Sequence, residues 1–151
     1  MLLGTLAAGL LAPLQARAAG REVPPEALRC LALTVYFEAR GESREGQAAV
    51  AHVVVNRARE AGFPGGVCEV VQQGGEQRPC QFGWYCDGHS DHPRAGRVWE
   101  TALDVARAVL AGRLEDPTDG ALYFVRERAK KPSWTHRLTQ VAHIGGHIFY
   151  R

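Results

Sequence analysis

The chain has no concentrated basic stretch, no glycine-rich phosphate loop and no serine set in a nucleophile elbow. Each absence removes a class of function. Nucleic-acid binding needs a basic footprint. Here the longest cluster, Arg126-Glu127-Arg128-Ala129-Lys130-Lys131, is short and interrupted, and reads as a solvated loop or strand end. Without a phosphate-cradling loop or an elbow serine, the usual nucleotide and acyl-transfer signatures are missing. Internal repeats and low-complexity segments are also lacking. The one long apolar run, Leu2 to Leu14, is too short to cross a bilayer as an ordinary helix.

That run is instead followed by Ala16-Arg17-Ala18, a small-x-small pattern of the kind signal peptidases cut. No Lys or Arg precedes it, which departs from the usual charged start. The organisation predicted is a signal peptide over 1–18, a linker over 19–25 ending at Pro24-Pro25, and one domain over 26–151. Losing 1–18 removes Arg17 and no acid, so the formal charge falls from +2 to +1. The expectation is an exported protein, periplasmic or secreted, monomeric, without a transmembrane span after signal cleavage, and with no nucleic-acid partner. At 151 residues the chain is long enough for one real hydrophobic core.

Four cysteines remain: Cys30, Cys68, Cys80 and Cys86. An even number behind an export signal favours two disulfides, with three connectivities open. The short loop between Cys68 and Cys80 favours that pair, leaving Cys30 with Cys86. A zinc site on Cys80, Cys86, His89 and His92 is the rival, but Cys-x5-Cys-x2-His-x2-His lacks the short knuckle of compact zinc sites. No metal and no cofactor is expected.

Helices are predicted from about Glu26 to Arg40, ending at Gly41, and from Ser43 as N-cap to Arg59 or Glu60. A third carries Trp99, Leu103, Ala106 and Leu110 on one face and closes at Gly112. Residues 68–91, rich in Gly, Gln and aromatics, read as short strands and loops. Ala121–Val125 reads as a strand, and Val141–Ile144 with His147–Tyr150 flank Gly145-Gly146 as a hairpin. His143 and His147 then face each other across the turn or stand as two polar strand ends. The fold class is α+β.

In the first helix Leu31, Thr34, Val35 and Glu38 share a face, so a carboxylate continues a mostly apolar stripe. Burial there would raise its pKa and suit a general acid near neutral pH. An ordinary ion pair of Glu38 with Arg40 or Arg44 is the plainer alternative. Glu42 lies one turn on, past Gly41, as a second carboxylate or as an acid at the start of the next helix. Gln81, Phe82, Trp84 and Tyr85 combine flat rings with an amide, a set that stacks on sugars or forms a small core under a stapled loop. Tyr123 and Trp134 would extend the same groove.

Taken in order, these residues resemble the bacterial cell-wall hydrolases related to spore-cortex-lytic enzymes, a lysozyme-like group. The resemblance runs from about Arg29 to Arg151. It is carried by Tyr36-Phe37-Glu38-Ala39-Arg40-Gly41-Glu42, Glu45-Gly46-Gln47, Val55-Asn56-Arg57, Cys68, Cys80-Gln81-Phe82, Trp84 and Cys86-Asp87-Gly88. Near the C-terminus it continues with Pro132, Trp134, Ile144-Gly145, His147 and Phe149-Tyr150-Arg151. It implies a lysozyme-like, mainly helical fold with a few short strands and a C-terminal hairpin. It also implies Glu38 as catalytic acid, with Gln81, Phe82, Trp84 and Tyr123 near the cleft; Glu42 joins them as a substrate-side candidate by its helical spacing. The implied partner is the peptidoglycan glycan strand, cut between N-acetylmuramic acid and N-acetylglucosamine, often leaving a 1,6-anhydro end. The chain departs from the family where a His-Tyr-His-like segment is replaced by Leu122-Tyr123-Phe124. A non-catalytic wall-binding module of the same fold is the alternative that this change supports.

Overall fold

A computed structural model describes residues 22–75 and 79–151. The signal peptide expected over 1–18 lies outside the described residues, as does the start of the linker. Four α-helices come first in the chain: α1 (Pro25–Ala39), α2 (Arg44–Arg59), α3 (Val67–Gln72) and α4 (Arg97–Leu110). Strands β1 (Tyr123–Arg126), β2 (Gln140–Ile144) and β3 (His147–Tyr150) follow, with 3-10 turns at Gly83–Cys86 and Ser133–Arg137.

Pro25 opens α1, where its missing N–H costs nothing. Leu31, Ala32, Thr34, Val35 and Tyr36 are buried. Thr34 satisfies its hydroxyl on the Cys30 carbonyl one turn back, at 3.1 Å. Ser43 caps α2 as expected, its hydroxyl accepting from the Gly46 N–H at 3.2 Å. Most of α2 is buried, Ala48 to Val55 without a break. Such an all-round apolar helix belongs in the centre of a core rather than on its surface. Helices α1, α2 and α4 accordingly pack on one another around Leu31, Val35, Val54 and Val105.

The sheet is antiparallel in the order β1-β3-β2. Tyr123 pairs with Tyr150 and Arg126 with His147, while Ile144 meets His147 across the Gly145-Gly146 turn. The central strand β3 is buried throughout, and Phe149 at its middle joins Val50 and Val53 of α2 in a second core cluster. The expected hairpin is therefore present and is completed by β1. A polar staple sets where β1 begins. Asn56 of α2 donates to Asp116 (2.8 Å) and to the Ala121 carbonyl (3.1 Å). Asp116 in turn accepts from the Thr118 amide and hydroxyl and from the Gly120 amide.

Two expectations need correction. The disulfides are Cys30–Cys68 and Cys80–Cys86, not Cys68–Cys80 and Cys30–Cys86. The segment at 67–72 is a helix rather than a strand. The two errors share a cause. A short apolar run does not distinguish helix from strand, and as helix α3 it turns Cys68 inward against α1, with its Cα 5.3 Å from that of Cys30. Closing that loop of sequence separation 38 stabilises the fold by about 4 kcal/mol in the chain-entropy account. With Cys80 and Cys86 bonded to each other, neither is available to a metal.

Candidate active site

Glu38 sits in the last turn of α1, on the apolar stripe that buries Leu31 and Val35. Its side chain keeps 17% of its surface exposed, and that part opens into a cleft of about 720 Å³. The walls are the end of α1, the turn carrying Glu42, the segment after β1, and the Gly145-Gly146 hairpin turn. A smaller cavity of about 210 Å³ adjoins it, also lined by Glu38 and Arg126, with Arg57, Gln81, Phe82 and Phe124. Burial pushes the Glu38 carboxyl above the usual carboxylate range. The Arg126 guanidinium, 3.8 Å away, opposes that shift. Neither Arg40 nor Arg44 pairs with it: Arg44 reaches Asp104 at 3.1 Å, and Arg40 lies over the Tyr36 ring.

Glu42 lines the same cleft in a different state of engagement. One carboxylate oxygen accepts from the Gly146 N–H at 3.1 Å, and the other lies 3.6 Å from His147 Nδ1. That second separation exceeds hydrogen-bond length, so the contact is electrostatic. The two glycines of the turn leave room for that carboxylate. Gly145 has φ +57°, and a Cβ on it would run into the Glu42 carboxylate; one on Gly146 would come within 2.9 Å of the same group. His147 is buried, and the loss of solvent lowers its pKa against the pull of Glu42. His143 does not face it: it points to Glu127, 3.3 Å away, and pairs across the hairpin with Ile148.

The expected aromatic groove is split by the structure. Gln81 and Phe82 share the smaller cavity with Glu38. Trp84 and Tyr123 do not line either Glu38 cavity. Trp84 is half-buried and stacks on Phe37 (centroids 4.9 Å apart, planes within 17°), and Phe37 rather than Trp84 presents a ring to the cleft. Tyr123 alternates with Phe124 along β1 and so faces away, packing 5.5 Å from Trp134 and 6.1 Å from Phe63. The replaced family position, Phe124, sits in the smaller cavity and meets His147 edge-on at 5.3 Å.

Arg57 is the residue whose part composition and spacing did not reveal. It is 2% exposed. Its Nε donates to the Leu122 carbonyl, and its guanidinium lies 5.3–5.7 Å from the rings of Phe63, Phe82 and Tyr123. Burial lowers its pKa to about 10. With the Gln81 amide turned so that its oxygen faces the guanidinium, Gln81 accepts from both terminal nitrogens at 3.1 and 3.3 Å. Arg57 thus holds the Gln81–Phe82 segment and the start of β1 around the cavity beside Glu38.

The chain is 34% identical over 124 residues to the spore cortex-lytic enzyme of Oceanobacillus iheyensis, covering 81% of this chain and 40% of that protein. Against the spore cortex-lytic enzyme of Bacillus subtilis the identity is 32%, with 36% of that protein covered. It therefore spans about two fifths of the length of the curated relatives it matches. Among solved structures, the catalytic domain of the Bacillus cereus SleB protein superposes with a TM-score of 0.70 at 31% identity, over 87% of this chain and 94% of that one. The catalytic domain of the germination-specific lytic transglycosylase SleB from Bacillus anthracis gives 0.68 at the same identity. The model of the cell wall hydrolase family matches residues 41–150, beginning three residues after Glu38. The sequence match and the shared fold cover nearly the same stretch, and the chain belongs to the cell wall hydrolase family.

Proposed function

We propose that the protein is an exported peptidoglycan hydrolase that cuts the glycan backbone between N-acetylmuramic acid and N-acetylglucosamine, acting as a lytic transglycosylase with Glu38 as its single acid and base. The observation that carries this reading is a carboxyl whose pKa burial raises and whose exposed edge opens into a substrate-sized cleft. A raised pKa favours the protonated form of Glu38, the form a general acid needs.

The usual glycosidase scheme uses two carboxylates. The other acids on this cleft, Glu42 and Glu127, lie against the Gly146 amide and His143. A route that needs only one acid fits better. Glu38 gives its proton to the glycosidic oxygen as the bond to the muramic C1 breaks. The resulting carboxylate then takes the proton of the same sugar's 6-hydroxyl as that oxygen bonds to C1. The products are a 1,6-anhydromuramic end and a free 4-hydroxyl, no water is consumed, and Glu38 ends protonated. Arg126 favours the ionised half of this cycle and burial favours the protonated half. Gln81 and Phe82, held by Arg57, supply an amide and a ring beside the acid.

The test is release of soluble fragments from dye-labelled sacculi, followed by mass spectrometry of the products. Anhydro ends made by wild type and absent with Glu38→Gln support the reading. Reducing ends would move the protein to a hydrolytic mechanism, and no release at all would favour a wall-binding module.

A further inference from the structure

The Glu38 cleft carries more positive charge than acid catalysis calls for. Arg40, Arg126 and Arg128 all line it, and all three are exposed to solvent. They come from opposite walls. Arg40 is the C-cap of α1; Arg126 ends β1, and Arg128 lies in the turn just beyond it. That turn is fixed, with Glu127 N–H donating to the Gly146 carbonyl at 2.8 Å and Ala129 N–H to the Arg126 carbonyl at 3.0 Å. The arginines are therefore presented from held backbone.

Three carboxylates, Glu38, Glu42 and Glu127, line the same cleft, but only one of them reaches an arginine. Among the described residues Arg40 and Arg128 have no carboxylate within 4 Å, and Arg126 has only Glu38, the group that must be protonated to act. Glu42 is already engaged by the Gly146 amide, and Glu127 lies against His143. With Glu38 in its acid form the three arginines outnumber the remaining carboxylates, Glu42 and Glu127, by one. The glycan is neutral along its sugars. Its carboxylates hang from the lactyl group of muramic acid, either free or on the peptide stem joined there.

We propose that Arg40, Arg126 and Arg128 form a carboxylate-binding subsite that takes the anionic peptide stem of the muramic unit at the cleavage point, an inference that rests on the glycan-cleavage reading above. Guanidinium groups pair with carboxylates through two parallel N–H donors, so several on one cleft suit a stem that carries more than one acid. The subsite also couples to chemistry. A carboxylate seated on Arg126 neutralises the charge that opposes protonation of Glu38, so that a stem-bearing strand helps hold its own acid ready. The basic run at 126–131 divides accordingly, Arg126 and Arg128 lining the cleft while Lys130 and Lys131 do not.

The experiment compares three soluble glycan substrates: strands with native stems, strands whose stem carboxylates have been converted to amides with carbodiimide and ammonia, and strands stripped of stems by an amidase. Wild type and the double variant Arg40→Gln/Arg128→Gln are assayed below saturation. Thermal melting checks that both are folded. Wild type should cleave native strands roughly 2–10-fold faster than amidated ones, the size expected of two exposed charge pairs. The double variant and added salt should both bring that ratio toward one. Stripped strands, which keep only the lactyl carboxylate that the amidase frees, should be cleaved more slowly than native ones. Sedimentation of Glu38→Gln protein with the same strands reads the preference without turnover. Equal cleavage and binding of native and amidated strands by wild type would overturn the subsite, as would an unchanged ratio in the double variant. Stripped strands handled as well as native ones would overturn the stem as the source of the carboxylate. Failure to cleave any strand would count against glycan cleavage alone, because the binding preference is measured separately.

Discussion

The last turn of α1 and the turn that follows it each place a glutamate on the same cleft, four residues apart, and treat it in opposite ways. Glu38 continues a buried apolar stripe, receives no hydrogen bond among the described residues, and faces Arg126 at 3.8 Å. Glu42 lies beyond the helix, where a backbone amide and a histidine from the hairpin turn reach it. A carboxylate that accepts a backbone N–H ties two segments of chain together. One that is desolvated without such a donor has its pKa raised instead. Identical side chains on one cleft thus become a carboxyl with a raised pKa and a latch, and the difference lies in which backbone groups reach them.

The strongest way to break this contrast is to exchange the two amides. Glu38→Gln should lower turnover on sacculi by ~10²–10⁴-fold with the fold retained, whereas Glu42→Gln should cost less than about tenfold. Equal losses at the two positions would make Glu42 a second catalytic carboxylate and the contrast would fail. Next in size are the stability effects on the latch. Gly145→Ala places a Cβ at φ +57° against Glu42 and should destabilise by ~1–3 kcal/mol in denaturant titration. Glu42→Ala, which leaves the Gly146 amide without its acceptor, should cost ~1–2 kcal/mol by the same measurement.

Smaller effects sharpen the other half of the comparison. Because burial raises the Glu38 pKa above its unfolded value, ionising it favours the unfolded chain. Whatever stability Glu38 contributes is fully present below its unfolded pKa, about 4.3, and is lost as pH rises through its folded value. Glu38→Gln should therefore be more stable than wild type at pH 7, with the difference vanishing below about pH 4. Thermal melts across that range check it, and a destabilised variant at pH 7 would show that Glu38 is stabilised by ionisation. The smallest effect concerns Arg126, whose charge lowers the Glu38 pKa. Activity needs the protonated acid, so the alkaline limb of kcat should move to higher pH in Arg126→Gln. A limb that stays in place would mean that another group titrates there.

Much of the helical half was legible along the chain. Proline and glycine punctuation and the Ser43 cap marked α1 and α2 to within a residue or two, and the stripe through Leu31, Val35 and Glu38 identified the carboxylate that burial perturbs. These are i, i+3 and i+4 relations, which a linear sequence displays directly. The Gly145-Gly146 hairpin was readable for the same reason. Trp84 was not, because its composition suits both a sugar-stacking ring and a packing ring, and only Phe37 lying against it decides for packing. Tyr123 was misplaced by one side of a strand, since burial of β1 against β3 and α2 sets which of Tyr123 and Phe124 turns toward Glu38.

The sequence by itself displayed α1, α2, α4 and the C-terminal hairpin, the family pattern and a glutamate on an apolar face. All of these follow from periodicity, punctuation and residue order over a turn or two of chain. Tertiary structure alone decided that Cys68 joins Cys30, that Arg57 braces Gln81 from within the core, that Glu42 latches the Gly145-Gly146 turn 104 positions away, and that Arg126 and Arg128 leave their basic run to line the Glu38 cleft. Each of these is a contact between distant segments. Its energy depends on burial, orientation and the partner reached across space, and none of the three is written in the spacing of neighbours along the chain.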